Sequence, residues 1–393
     1  VLLTERMVQP MDKPTVQDIF HRFYPAYLDQ YSPSPVQAKV AHNIMNCKTG
    51  AYGANVCVCE DCGFVQIHYN SCRNRCCHMC QAVPKEMWMD ARREDVLDAP
   101  YFHLVFTVPD ILNPVIYSNQ RLLYDALYHA ASSTISELTA DPKHLGAKVG
   151  YICILHTWGS EMNFHPHIHT VLLGGGLASN NQWRDNGENF FLPIRVISKV
   201  FRGKYLEELK RLWEEDKLVF HGTAEKFRNH YTFKELLDSC YGMDWIPHCK
   251  KTFNGAQTVM KYLGKYTHRI AVSNHRIVRM DDDTVTFLVK DYRNEGQWKE
   301  LTISGVEFVR RFLMHVPPRR FVRIRHYGLL CSRTKSQKLT LCRNLLGCKK
   351  YLSKLRDMEM PEILEHLYGI KVCVCKACGG RLGKPQMRMP LRC

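Results

Sequence analysis

An α+β fold is predicted from three features of the chain. Phe102–Val108 (FHLVFTV), Gly150–Trp158 (GYICILHTW) and His167–Leu173 (HIHTVLL) are short runs rich in β-branched and aromatic side chains, as strands are. Helical periodicity lies before and between them. Cys47, Cys57, Cys59, Cys62, Cys72, Cys76, Cys77 and Cys80 crowd into one stretch, a spacing that suits metal sites where no export signal is expected. With 393 residues, 45% hydrophobic and 23% charged, the chain has room for two or three domains with a sizeable core.

The elements follow in order. Apolar positions Ile19, Phe20, Phe23 and Tyr27, then Val36, Val40 and Ile44, predict helices over residues 15–46, broken by the Ser-Pro-Ser-Pro turn at Ser32–Pro35. After the cysteine cluster, which runs to Gln81, a proline-opened helix is expected at Pro84–Leu97. A long helix around Asn119–Glu137 separates the first two strands, and the last two read as an antiparallel pair. Gly174-Gly175-Gly176 is read as a turn, followed by an irregular insert with a charged helix at Tyr205–Lys217 and then a helix at Gly255–His268. Arg276–Met280, Thr284–Lys290 and Trp298–Ile303 predict a meander with an acidic turn at Asp281–Asp283. The expected domains are residues 1–98, a helical lead-in with zinc-binding cysteines; 99–305, with its insert at about 177–250; and a basic region, 306–393.

The charge balance constrains the partner. Lys and Arg number 54 against 38 Asp and Glu, a formal net charge of +16. Such an excess favours a polyanion through phosphate neutralisation, so nucleic acid is expected; no basic amphipathic helix suggests a membrane surface instead. Nor does any run approach the ~18 apolar residues that span a bilayer, and Val1–Pro14 mixes charges with prolines, so a cytoplasmic location is expected. Arg319, Arg320, Arg323 and Arg325 lie among Phe312, Phe321, His326 and Tyr327. Cations that track phosphates beside rings that accept unpaired bases suit a single strand, though a plain solvated face has the same composition.

Three constellations carry chemistry. Cys59-x-x-Cys62 and Cys77-x-x-Cys80 each set two thiols on a tight turn, and together they are expected to complete one structural four-thiolate zinc site. Cys47, Cys72 and Cys76 are candidates for a second zinc, with His42, His68 or His78 as a fourth ligand. Near the C-terminus Cys375 and Cys378, with Cys373 and Gly379-Gly380, form half of a zinc knuckle. In His165-Pro166-His167-Ile168-His169, alternation on a strand turns His167 and His169 to one face, where they can hold a divalent ion; His156 on the partner strand is a candidate third ligand. An ion that polarises a phosphoryl oxygen and tolerates imidazole is expected to be Mg2+ or Mn2+. Finally, Tyr262 and Tyr266 lie four apart, one helical turn, flanked by Lys261 and Lys265 and followed by Arg269. A phenolic oxygen there can attack a DNA phosphodiester and retain it, whereas an aromatic core stripe is the plainer reading.

The order of these strings resembles a known family. A zinc cluster with YNSCRNRCCHMCQ, HTWG before HPHIH and GGG, then YLGKYTHRIAVSN, then RIRHYGLL with a late Leu-Cys-Arg, is similar to the rolling-circle transposases of the insertion sequence ninety-one family. These are His-hydrophobic-His (HUH) endonucleases. Cys76-Cys77 stands where that family usually has histidine then cysteine, and His78 where it has proline, which leaves the second zinc's ligands open. The resemblance implies a bacterial enzyme whose central antiparallel sheet carries the paired histidines on a middle strand, with the tyrosine helix across it. It also implies a single-stranded DNA substrate at the ends of a mobile element, a 5′-phosphotyrosine link with Tyr262 or Tyr266, and transfer into target DNA. Two other readings share parts of the pattern: a replication initiator or conjugative relaxase, and a non-catalytic zinc-dependent DNA-binding protein. No Gly-rich Walker loop is present, so any helicase is a separate host protein.

Overall fold

The computed structural model describes residues 13–186, 192–245, 247–253, 264, 270–291 and 295–388. Two capped helices come first. Thr15 caps α1 (Val16–Gln30) and Ser34 caps α2 (Pro35–Asn46); in each, the side chain three residues on, Asp18 or Gln37, bonds back to the cap's N–H. A hairpin of β1 (Ala54–Val58) and β2 (Val65–Tyr69) follows, then α3 (Ala82–Arg93).

The central sheet is entered at β3 (Tyr101–Thr107). A short α4 (Asn113–Ser118) and a long α5 (Gln120–Ala140) lead to β4 (Lys148–Trp158) and β5 (Phe164–Leu177), with β6 (Trp183–Asp185) on the latter. Beyond α6 (Ile194–Glu214) and α7 (His230–Gly242) the chain returns as β7 (His248–Phe253). A meander of β8 (Ile277–Met280), β9 (Thr284–Asp291) and β10 (Gln297–Ser304) precedes α8 (Gly305–Met314). Then come β11 (Ile324–Gly328), α9 (Lys335–Leu346), α10 (Met360–Tyr368) and β12 (Gln386–Arg388). The expected α+β class holds, with a central antiparallel sheet in the order β11-β4-β5-β3-β7.

Alternation gives this sheet two different faces. Phe102, Leu104 and Phe106 of β3, Tyr151, Cys153 and Leu155 of β4, and Ile168 and Leu172 of β5 point to one side, into a core with Leu127 and Tyr128 of α5 and Phe201 and Tyr205 of α6. The opposite side carries the histidines. There Tyr101, Ile152, Ile154, Val171 and Leu173 make a smaller core with Leu339 and Cys342 of α9, and Trp88 and Met89 of α3 pack against it.

One expected turn is corrected. Gly174, Gly175 and Gly176 are not a turn but the end of β5. A Cβ there would lie 2.9 Å from the Phe102 ring at Gly174, 2.4 Å from Trp183 at Gly175 and 2.4 Å from the Lys148 carbonyl at Gly176, so the glycines permit close neighbours. Contacts also cross the 98/99 boundary. Phe20 of α1 meets Phe312 of α8 edge-on at 5.1 Å, and the N-terminal helices share a core with Phe287 and Phe308 of the meander unit. Likewise β11, expected in a separate basic region, is the edge strand of the central sheet beside β4. Among the described residues no helix is long and apolar enough to cross a membrane.

Candidate functional site

The histidine face is assembled by strand register. His156 of β4 pairs directly with His167 of β5, and residues paired across antiparallel strands project to the same side. His169, two residues on, joins them. The ligand nitrogens of His156, His167 and His169 lie within 4.8 Å of one another, and all three residues are buried. On their outer flank the His156 ring stacks on Trp158 at 4.3 Å.

Hydrogen bonds set which nitrogen faces the centre. His167 Nδ1 donates to the carbonyl of His165 at 2.7 Å, which leaves its Nε2 unprotonated and directed inward. His169 presents Nε2 at 3.0 Å from that atom, while its Nδ1 contacts His103 Nε2 at 2.9 Å. Burial holds His167 down to about 4, with the charge of His165 adding to the effect and the bond to its carbonyl opposing it, and holds His169 well below the usual imidazole range, with the neighbouring histidines adding to it. Both rings are therefore neutral at pH 7, as metal ligation requires. The sequence reading missed His103. Like His248, which pairs with Val105 across β3 and β7, it lies on the same sheet face as His169. Its place in FHLVFTV, at the parity that register opposes to Val171, was the available signal.

The cysteines form two clusters, in a grouping that differs from the expected one. Cys77 and Cys80 meet Cys47 and Cys72, while Cys59 and Cys62 meet Cys375 and Cys378. The expected single site of Cys59, Cys62, Cys77 and Cys80 does not form, because β1 and β2 carry the first pair away from α3, on whose N-terminal side the second pair sits. Cys47 ends α2, where the Gln17 amide donates to the carbonyls of Ile44, Met45 and Cys47 and fixes the turn. The Cys72 and Cys80 sulfurs are 3.8 Å apart; four thiolates at about 2.3 Å from one tetrahedral ion would be separated by about 3.8 Å. Hydrogen bonds from Cys72, Cys77 and Cys80 hold the Cys47 thiol well below its usual range. Cys76, expected as a second-zinc ligand, is instead buried in the core of the N-terminal helices. Neither cluster takes a histidine: His42 bonds Asn46, His68 bonds Gln66 and His78 bonds the Ile270 carbonyl.

Comparison with known proteins adds the identity. A family model described as "Transposase zinc-binding domain" of IS91 type matches residues 19–108, and one described as "Putative transposase" matches residues 150–338. The chain is 40% identical over 369 residues to the transposase-like protein y4qJ of Sinorhizobium fredii, covering 93% of each. The chain belongs to the IS91 family of transposases. It is also 29% identical over 364 residues, 88% of this chain and 83% of the relative, to the transposase for insertion sequence element IS801 of Pseudomonas savastanoi pv. phaseolicola. Conjugative relaxase TrwC in its metal-bound complex with oriT DNA aligns over 28% of this chain and 43% of its own at 20% identity, with a TM-score of 0.22, too low to carry a structural argument.

As an IS91 transposase with these thiolate clusters, the protein is a zinc-binding enzyme that acts on DNA. Tyr262, Tyr266, Lys261, Lys265 and Arg269 lie outside the described residues. Gly264, between the tyrosines in sequence, is helical and buried, and a Cβ on it would lie 2.1 Å from the Met89 sulfur. Arg319 and Arg320 are exposed as a phosphate contact requires. Two other arginines are turned to structural use. Arg325 pairs with Asp125 and lies over the Tyr128 ring at 4.0 Å, and Arg323 packs over Trp158 at 5.4 Å.

Proposed function

We propose that this transposase nicks a single DNA strand at the ends of its mobile element and carries the strand as a 5′-phosphotyrosine, the rolling-circle route. The observation that carries the reading is the convergence of His156, His167 and His169 on one buried point of the central sheet. The site admits a hard ion. The donors are imidazole nitrogens, the two Nε2 atoms 3.0 Å apart, and an ion that polarises a phosphoryl oxygen should prefer oxygen ligands and tolerate imidazole. Mg2+ or Mn2+ held there would neutralise charge developing on a phosphoryl oxygen.

The protein's own groups do the rest. Tyr266 or Tyr262 gives up its phenolic proton as its oxygen forms the new O–P bond and the P–O3′ bond breaks, and the departing 3′ oxygen takes up a proton. Rejoining reverses this, with a 3′ hydroxyl of the target strand as attacker and the tyrosine as leaving group. Gly264 supports this assignment, since Met89, against which it rests, packs on the histidine side of the sheet. Arg319 and Arg320 would hold the strand through its phosphates. Strand separation falls to a host helicase or replication proteins. The domains of the notional lead-in, the endonuclease and the basic region act on one DNA as a single folded unit.

The test is a single-stranded oligonucleotide carrying the element's end, incubated with Mg2+ or Mn2+. A covalent peptide adduct mapped by mass spectrometry to Tyr266, with Tyr262 serving the second transfer, is expected. Cleavage with no adduct on either tyrosine would make water the nucleophile and remove the proposal.

A further inference from the structure

Cys59 and Cys62 find their partners more than 300 residues away. Their sulfurs converge with those of Cys375 and Cys378, beyond both stretches matched by the family models. The two halves are built alike. Each is a Cys-x-x-Cys-Gly turn whose glycine takes a positive φ, 69° at Gly63 and 75° at Gly379. The N–H of Gly63 donates to the Cys59 carbonyl at 3.1 Å, and that of Gly379 to the Cys375 carbonyl at 3.0 Å. Cys59 N–H donates to Phe64 and Cys375 N–H to Gly380, at 2.9 and 2.8 Å, so both turns close in the same way.

The sulfur separations choose between a disulfide and an ion. Cys59 to Cys378 is 3.5 Å and Cys62 to Cys375 is 3.7 Å. A disulfide needs about 2.05 Å, whereas the edge of a zinc-centred thiolate tetrahedron is about 3.8 Å. Backbone N–H groups of Ala377 and Gly380 point at the Cys375 and Cys378 sulfurs, each at 3.4 Å, and stabilise thiolates. Around the cluster the tail is stitched to the hairpin by main-chain bonds. Glu60 N–H donates to the Arg381 carbonyl at 3.1 Å and Gly383 N–H to the Val58 carbonyl at 2.8 Å, and β12 adds to β1 as a third strand.

We propose that Cys59, Cys62, Cys375 and Cys378 bind a second zinc ion that clasps the C-terminal tail to the N-terminal hairpin. The ion joins two halves that neither segment completes alone, so it closes the chain into a ring that contains the central sheet. Upstream, the same end of the chain is already pinned to α3. Asp90 accepts from Tyr351, Ser353 and the Leu355 N–H, and Glu94 pairs with Arg356. Removal of the clasp ion should therefore free the chain beyond about residue 370 and leave the 351–356 segment docked.

The experiment measures zinc per chain together with limited proteolysis of the full-length protein. Two ions are expected in the parent, and one in Cys59→Ser, in Cys375→Ser and in the double variant, with new cleavage confined to the tail. Cys378→His keeps a fourth ligand, so it should retain two ions and the fold. In its cobalt(II)-loaded form the charge-transfer absorption of one site should change while the other stays. One ion in the parent, two retained in Cys375→Ser, additive loss in the double variant, or an unchanged cobalt spectrum in Cys378→His would each overturn the clasp.

Discussion

His103 Nε2 stands 2.9 Å from His169 Nδ1, across the β3–β5 pair, with the two rings nearly parallel at 17°. With an ion bound as proposed above, His169 would offer Nε2 to it and carry its proton on Nδ1, so that His169 would donate this bond and His103 accept it. The bond fixes both the tautomer and the ring angle of His169. Partners of this kind are typically worth about 10- to 100-fold in metal affinity. His103→Ala should weaken Mn2+ binding by that order, and His103→Gln, whose carbonyl can accept the same proton, should recover part of it. A calorimetric titration that finds equal affinity in all three proteins would exclude the positioning role.

Removing the ligands themselves should separate chemistry from binding. His167→Ala and His169→Ala are expected to lower the nicking rate by about 1000-fold or more, because an ion supplies several kcal/mol of charge stabilisation. Affinity for a single-stranded oligonucleotide should change less than about threefold, since it rests on phosphate neutralisation. His156→Ala should also be severe. Efficient cleavage by the His167 or His169 variant in Mg2+ or Mn2+ would remove the metal assignment.

The two neighbouring cysteines offer an internal control. Cys77→Ser should lose the zinc of the N-terminal cluster and much of the soluble yield, because metal binding is folding energy in so small a module. Cys76→Ser should keep that zinc and lose about 1–3 kcal/mol from a hydroxyl buried without a designed partner. Zinc content measured by mass spectrometry and a thermal melt distinguish the two. Equal zinc loss in both would contradict the ligand set.

Arginines close in sequence should divide by burial. Arg319→Ala and Arg320→Ala are each expected to reduce the slope of log affinity against log salt by about 0.7 for single-stranded DNA, with little change in melting. Arg325→Ala removes the Asp125 pair and the cover over Tyr128, so its main effect should be a lower Tm. Should the salt slope fall only in the Arg325 variant, the exposed pair is not the phosphate contact.

Acid stability follows from a histidine outside the site. His315 is buried, donates Nε2–H to the Met162 carbonyl at 3.0 Å and accepts from the Thr157 hydroxyl at 3.1 Å. Burial holds its pKa down to about 4, against 6.5 when unfolded. Between those values the unfolded chain binds the proton and the folded chain does not, so stability rises with pH. The contribution is complete above pH 6.5 and is lost as pH falls toward 4, on the order of 3 kcal/mol in all. His315→Asn should be less stable at pH 7 but show a shallower loss across that window in urea titrations. An unchanged slope would mean that His315 is not buried neutral.

Much of this protein is legible in the chain alone, where the information is local. Alternation in His165–His169 assigns His167 and His169 to one face, apolar periodicity and the Ser-Pro-Ser-Pro turn give the two N-terminal helices, and the meander of β8–β10 follows from periodicity and its acidic turn. Cysteine spacing likewise identifies each two-thiol turn, since a Cys-x-x-Cys pair is set by a few backbone dihedrals. Which turns share an ion is another matter. That depends on where β1, α3 and the tail meet, and it pairs Cys59 with Cys378 and Cys47 with Cys77 against the sequence order. The same applies to His103, brought to His169 by strand register; to Arg325, paired with Asp125; and to β11, drawn into the central sheet. Periodicity determines which way a side chain points from its own element, but its partner across space is selected by the packing of elements far apart in the chain, and only the tertiary structure contains that.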